Sequence, residues 1–307
     1  MGYGRWDAQA YTSYADTTNL RGMSTREVFK ETDAKAEYLP KNFALRESRD
    51  SEANPNSTPV ILGSDVTGSM GDYAAEIVQT HLPVLMTSIL NDGIISDPHI
   101  MVMGIGDARA YDRAPVQATQ FETDIRIVEQ MRNVFLEGGG GGNGHESYDF
   151  AWQFALSKTD CDAFKRPGNR RGRGFIFTFG DENPAETPLD MNTIKKHFGT
   201  GEFPVFETMN ALVDAVQENW NIFHVIIEQG GYCSSTRTSN TVHNNWTKLL
   251  GSRVLFLADS RNLPAVVTAA MRMEQGEDVY TVRSEFVVQY GNAQQVFNHT
   301  FANLLKD

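Results

Sequence analysis

Three oxygen-bearing side chains stand two residues apart in Gly63-Ser64-Asp65-Val66-Thr67-Gly68-Ser69-Met70: the carboxylate of Asp65 and the hydroxyls of Thr67 and Ser69. These are hard oxygen ligands, suited to an octahedral divalent cation that keeps several of its waters. With no Cys/His cluster beside them, they do not suit a structural zinc. The plain alternative is an ordinary Asp-Thr-Gly-Ser turn. The apolar run Pro59 to Leu62 comes before the trio, and a long amphipathic segment from Tyr73 to Leu90 follows. That order predicts a buried strand, a tight loop and a helix, with Pro83 kinking or restarting the helix. In open α/β sheets ligands gather outside the carboxyl ends of the strands, where this loop would lie.

The rest of the chain supplies the elements that must position the trio. Pro98 to Gly106 predicts a second parallel strand, placed beside the first by a right-handed crossover. It ends in Asp107, which would emerge at the same edge as Asp65, either as a turn aspartate or as a ligand or support for a metal. Val116 to Phe121 suits a short edge strand, and Thr123 to Val134 a helix. Glu137 opens a loop of five glycines, Gly138 to Gly142, that continues as Asn143-Gly144-His145-Glu146-Ser147 before a helix to Ser157. Such a run cannot form the interior of an element but permits close backbone approach. Gly174 to Phe179 reads as a dense buried strand, followed by Gly180-Asp181-Glu182-Asn183-Pro184. Helices are predicted over 190–198, 208–217, 241–250 and 263–273, with strands over 220–227 and 253–257. A Val/Phe-rich segment, Val279 to Tyr290, precedes a terminal helix over 292–305. The alternation predicts an α/β domain with a mainly parallel, six-stranded sheet and helices on both faces.

Asp65-x-Thr67-x-Ser69 resembles the Asp-x-Ser/Thr-x-Ser motif of von Willebrand factor A (VWA) domains, a Rossmann-like family in which it forms the metal-ion-dependent adhesion site, MIDAS. The resemblance spans residues 57 to 275. It leaves an N-terminal arm, residues 1–56, and a C-terminal extension, residues 276–307, outside the VWA-like domain. It implies that Asp181, after the fourth strand of the family, is the third element of the site, with Glu182 beside it as the alternative. The family usually carries a Thr in the glycine-rich loop. This chain departs from that pattern, so that Asn143 or Glu146 would supply the oxygen, with Asp107, Glu182 and Ser147 as supporting groups. The lead-in Asn54-Pro55-Asn56-Ser57-Thr58-Pro59 is also similar to that of uncharacterised bacterial or phage VWA proteins.

The resemblance implies a protein-binding module rather than an enzyme. In it Mg²⁺ or Mn²⁺ leaves a coordination position open for an acidic side chain of a partner. Such modules act in larger assemblies, some with AAA+ ATPases. No Walker loop occurs here, so any ATPase would be another chain. An alternative is the Asp-Lys-Thr-Gly-Thr motif of haloacid-dehalogenase-like phosphoryl-transfer enzymes, with Asp65 as nucleophile and Asp181 helping to hold Mg²⁺. Against it, Val66 replaces the lysine, and the helix starts too soon for the hairpin those enzymes carry. A third reading is a structural subunit with a degenerate metal site.

Bulk properties narrow the field. The 307 residues carry a formal net charge of −12 and are 40% hydrophobic. Such a chain can bury a real core, and its acidity argues against nucleic acid as the main ligand. The basic run Lys165 to Arg173 reads as a solvated loop or an anion site. Cys161 and Cys233 read as reduced thiols. No signal peptide or membrane-spanning run is evident, so the expectation is a soluble, cytoplasmic protein without membrane partners. The arm is polar with scattered aromatics, reading as a segment laid over the main domain or ordered by a partner. Ser24-Thr25-Arg26-Glu27 fits a helix capping box.

Overall fold

The structure, a computed structural model, describes residues 4–306 apart from residues 71, 92, 111, 139–143 and 291–292. The arm contains α1 (Ala8–Thr18), α2 (Thr25–Val28) and the short strand β1 (Arg46–Ser48). The predicted capping box is formed, Ser24 N donating to Glu27 Oε2 at 2.7 Å. The central strand β2 (Thr58–Asp65) then runs into the candidate loop and α3 (Tyr73–Glu76).

Between α3 and α4 (Leu82–Asn91) the helix winds one π turn, Ile77 to His81. Pro83 explains the distortion. It has no N–H, so the carbonyl four residues back, Gln79 O, loses its α-helical donor. The arm supplies a replacement: Tyr11 OH donates to Gln79 O at 2.7 Å. The Gln79 side-chain amide in turn donates to Leu20 O and Met23 O at 2.9 and 2.8 Å. The π turn before Pro83 is therefore also the point where the arm is fastened.

The chain continues through β3 (Pro98–Ile105), the edge strand β4 (Val116–Ala118), α5 (Arg126–Arg132), α6 (Asp149–Ser157) and the short β5 (Thr159–Cys161). Then follow β6 (Gly174–Gly180), α7 (Met191–Phe198), α8 (Met209–Gln217), β7 (Trp220–Ile227), α9 (Thr236–Leu250) and β8 (Val254–Leu257). Helices α10 (Leu263–Glu274), α11 (Val279–Tyr290) and α12 (Ala293–Thr300) close it. Helix α9 begins five residues before the predicted Thr241. Ser235 caps it, its Oγ accepting from Thr238 N at 3.2 Å, and the polar first turns carry no apolar period to read. The Val/Phe-rich 279–290 segment is helical, and the terminal helix ends at Thr300 instead of Leu305.

The main sheet has six strands in the order β4-β3-β2-β6-β7-β8, all parallel except β4, which runs antiparallel to β3. Side chains alternate between two buried cores. Val60, Leu62, Phe175, Phe177 and Phe179 face one, with α4, α5 and α10; Ile61, Ile176, Ile222 and Ile226 face the other, with α6, α8 and α9. The fold is thus α/β and VWA-like, with helices on both faces of a mainly parallel six-stranded sheet. From β2 the chain first adds β3 on one side and later β6 on the other. The strand order reverses there, and the crevice outside the carboxyl ends of β2 and β6 is where such sheets bind ligands.

Residues of the arm enter the first core: Trp6, Tyr11, Leu20 and Val28 are buried in it. Its end is held differently. β1 pairs in parallel with β5, and around this two-stranded patch the basic run meets acids. Arg166 Nε donates to Asp50 Oδ2 at 2.9 Å and its Nη2 to Ser57 O at 2.9 Å. Arg49 reaches Asp160 at 2.7 Å and Asp162 at 2.9 Å, and also pairs with Glu47. Lys165 pairs with Asp160. Arg173 Nη2 donates to Gln217 O and Trp220 O at 2.6 and 2.9 Å. Arg166 from the basic run and Arg49 from the arm thus form a clasp between arm and domain. Most of the run is exposed, as a solvated loop would be, but Arg166 is committed to Asp50 and Ser57, more than a hundred residues away in sequence, and not to an outside anion. Cys161 and Cys233 are free and buried. No helix among the described residues is long and apolar enough to cross a membrane.

Candidate metal centre

Asp65 ends β2, and Asp181 follows the last residue of β6. The pairing Ser64 with Phe179 puts both carboxylates at the same edge of the sheet, on adjacent strands. Both are buried. Asp65 Oδ1 accepts from Thr67 N at 2.7 Å and from Thr67 Oγ1 at 2.6 Å, a local turn that fixes the loop after the strand. Tyr148 OH lies 3.4 Å from Asp65 Oδ2. Asp181 Oδ2 accepts from Tyr232 N at 2.7 Å. Gly230 permits that approach, since a Cβ there would stand 2.4 Å from Asp181 Cβ. Gly180 likewise leaves room for Tyr148, whose hydroxyl would be 1.8 Å from an added Cβ.

The end of the glycine-rich loop is stitched to the segment after β6. Asn183 Nδ2 donates to Gly144 O at 2.8 Å, and His145 Nδ1 lies 2.9 Å from Pro184 O. Gly144 has φ +74°, in the region that favours glycine, and stands where a Cβ would meet the Tyr232 hydroxyl at 2.5 Å. This stitching delivers Glu146 into the cluster, buried, with Oε2 lacking a hydrogen-bond partner among the described residues. Asn143 lies outside the described residues, as does the side chain of Ser69.

The supporting groups divide. Ser147 Oγ donates to Asp107 Oδ1 at 3.0 Å and accepts from Ala108 N and Arg109 Nη1 at 3.0 and 2.9 Å, which fills its capacity. It orients Asp107, which is buried and also accepts from Arg109 N at 2.8 Å. Arg109 forms a two-pronged pair with Asp149 at 3.1 and 2.8 Å, so its charge is already engaged. Glu182 directs its carbonyl to Trp246 Nε1 at 2.9 Å, and its carboxyl feels the cluster's charge.

Electrostatics set this edge apart. Burial raises the Asp65 carboxyl above its usual range, and Asp181 adds to the rise against the opposing Thr67 hydrogen bonds. Burial pushes Glu146 up to about 10, with Asp65 and Glu182 adding repulsion. Glu182 rises to about 7 through burial, then Asp65 and Asp181. The Tyr148 hydroxyl is held well above its ordinary value by burial and the same anions. Like charges in a dry site raise one another in this way unless a cation joins them. A buried carboxylate oxygen without a partner, set among mutually repelling acids and beside Thr67, fits a divalent cation with oxygen ligands. Among the described residues no group of three or more His, Cys, Asp or Glu is arranged as a metal site. The candidate set draws on hydroxyls as well as carboxylates.

Sequence reading missed Tyr148, Tyr232 and Arg109, which support Asp65, Asp181 and Ser147 respectively. The Gly230-Gly231 pair after β7 is the one signal that could have drawn attention to the Tyr232 loop.

The fold and the site together define a VWA-like α/β domain with an acidic, hydroxyl-bearing crevice at its topological switch point. No family model matches the sequence, and no curated protein matches it at a significant level. Among solved structures, the chain is similar to the pilus adhesin SpaC from Lactobacillus rhamnosus GG in its open conformation, with TM-score 0.48, 10% identity and 74% of this chain covered. A second structure of that adhesin gives TM-score 0.47, 12% identity and 74% coverage. The chain spans 31% of the length of the adhesin in both.

Proposed function

We propose that the chain is a metal-dependent protein-binding module. Mg²⁺ or Mn²⁺ would be held by Asp65, Thr67, Ser69 and Asp181, with Glu146 or Asn143 completing the protein's share. The observation that carries this reading is the cluster of buried carboxyl groups at the β2–β6 crevice, which raise one another, with Glu146 Oε2 unpartnered among the described residues. When bound, the ion supplies an electrophilic position for an acidic side chain of a partner. The chain's own residues hold and orient: Thr67 locks Asp65 Oδ1, Tyr232 N holds Asp181, and Ser147 with Arg109 keeps Asp107 in place. The partner would belong to a larger assembly, in which an AAA+ ATPase on another chain is one candidate, and the module would act in the cytoplasm. Binding is favoured over phosphoryl transfer because Val66 stands where those enzymes carry a lysine and helix α3 begins at Tyr73, soon after the loop.

Titration calorimetry tests the reading. The wild type should bind Mg²⁺ and Mn²⁺, and Asp65→Ala should not. Equal affinity in the two proteins would remove the metal site, and partner capture that survives a chelator would remove the ion from recognition.

A further inference from the structure

We infer that the crevice continues into a groove built by the N-terminal arm, and that this groove reads a second acidic side chain on an extended peptide segment of the partner. The inference rests on the metal-binding reading for the first carboxylate.

A groove of about 840 Å³ runs from Thr67 and Gly68 along the arm around α2. Its volume falls in the range of about 300–1,000 Å³ typical of ligand sites. Phe29, Val66 and Leu136 give it an apolar surface; Phe29 and Val66 are buried and Leu136 is partly so. Arg26 and Lys30 line it and are exposed, and neither has an ion-pair partner among the described residues. The acids nearby are engaged. Glu31 lies 3.5 Å from Lys35, and Asp72 accepts from Thr25 Oγ1.

The Thr25–Asp72 bond ties the arm to the segment that follows the candidate metal loop, and the Ser24–Glu27 box fixes where α2 begins. Arg26 and Lys30 are thus presented from a pinned support beside the site. In a chain of net charge −12, two available cations facing an apolar trough next to a carboxylate-capturing centre are complementary to an acidic strand. One carboxylate would go to the ion and an apolar side chain onto Phe29, Val66 and Leu136. A further Asp or Glu would sit against Arg26 and Lys30. The clasp gives the contrast: its Lys165, Arg166 and Arg49 already have acidic partners.

Selection of a phage-displayed random dodecapeptide library on the full chain in Mg²⁺ tests this. Enriched peptides should carry two acidic positions flanking an apolar one. A labelled peptide from the enriched set should bind Arg26→Glu/Lys30→Glu at least 10-fold more weakly than wild type, with Mg²⁺ calorimetry unchanged. Replacing the peptide's second acid by its amide should weaken wild-type binding and leave the double variant indifferent. Should charge reversal disturb folding, Arg26→Gln/Lys30→Gln makes the same comparison with a smaller change. Peptides enriched with one acid or none, no enrichment, or affinity indifferent to both cations would overturn the inference. If Mg²⁺ binds in any of those cases, the metal reading still stands. Loss of Mg²⁺ binding in the wild type would instead remove that reading.

Discussion

Two regions of this molecule concentrate acidic side chains, and they treat charge in opposite ways. In the clasp, Glu47, Asp50, Asp160 and Asp162 face Arg49, Lys165 and Arg166. There Asp160 is lowered by Lys165 and Arg49, and the Asp50 carboxyl falls below its usual value because Arg166 and Ser57 outweigh burial. In the crevice, Asp65, Glu146 and Glu182 are all raised, with burial the first cause; the charge of Asp65 adds to the rise of Glu146 and Glu182, and Asp181 raises Asp65 against the Thr67 hydrogen bonds. The clasp has used its charges on itself and holds the arm. The crevice holds unspent negative charge where a cation could lower its energy. Charge satisfied within the chain serves the fold, and charge left unsatisfied at a sheet's switch point is what a binding site needs.

The sharpest way to break this contrast is to remove one crevice charge without changing shape. Asp181→Asn keeps an oxygen for Tyr232 N but deletes an anion. Its Mg²⁺ affinity should fall about 100-fold, about 2.8 kcal/mol. Calorimetry reads the affinity, and denaturation in EDTA should show no loss of stability. A variant that loses stability without losing metal would put Asp181 with the clasp.

Arg166→Ala makes the converse change. It leaves Asp50 and the Ser57 carbonyl without their guanidinium, at a cost of about 2 kcal/mol for a largely buried charge-assisted pair. Chemical denaturation should show that loss, with Mg²⁺ affinity unchanged. A coupled loss of metal would mean that the arm transmits strain to the site.

The two regions should also respond oppositely to pH. Glu182 has an ordinary value of 4.5 and a folded value of about 7. Between these values the folded, metal-free protein binds more protons than the unfolded chain. Stability then falls as pH rises, by up to about 1.4 kcal/mol per pH unit for each such proton. Asp50 and Asp160 are lowered, so the clasp's contribution is present above their ordinary value of 3.8 and is lost as pH falls through the folded values. Denaturation in EDTA at pH 5, 6, 7 and 8 should therefore show declining stability. Saturating Mg²⁺ holds the crevice deprotonated and should flatten that decline. A rise in stability across this window in EDTA would mean that the crevice charges are compensated within the chain.

The sequence made the crevice legible where burial and chemistry coincide. Two apolar runs end in Asp65 and Asp181, and a buried strand that stops at a carboxylate is visible without coordinates. The edge strand at Val116 and the helix distortion before Pro83 could be read for similarly local reasons. What stayed hidden depends on contacts distant in sequence. Nothing near Pro83 says that Tyr11 will take the carbonyl it orphans, and nothing near Arg166 names Asp50. The polar start of α9 carries its signal only in a serine cap, which a search for apolar periodicity passes over.

The smallest expected effect on metal affinity concerns the oxygen that the glycine-rich loop contributes. Glu146 is raised to about 10, so at pH 7 in the metal-free protein it carries its proton. Glutamine is then nearly its replica in shape and charge in the folded state, but the unfolded glutamate is ionised at pH 7, so the wild type must take up a proton on folding and Glu146→Gln should be the more stable protein in EDTA at that pH. At pH 9, still below that value, the variant's advantage should be larger than at pH 7, because the wild type alone loses stability through this residue as pH rises. Metal binding separates the two possible roles. If Glu146 is a ligand, the ion must displace its proton, and that release appears as buffer-dependent heat that the glutamine variant lacks. The site then gains a negative charge, and an acidic partner is drawn less strongly. If Glu146 stays protonated behind the ion, the two proteins bind Mg²⁺ alike, release the same protons, and capture an acidic peptide equally well. A glutamine variant with equal Mg²⁺ affinity and unchanged proton release would leave the loop's oxygen to another residue. Asn143→Ala, carried through the same titrations, would test the neutral alternative.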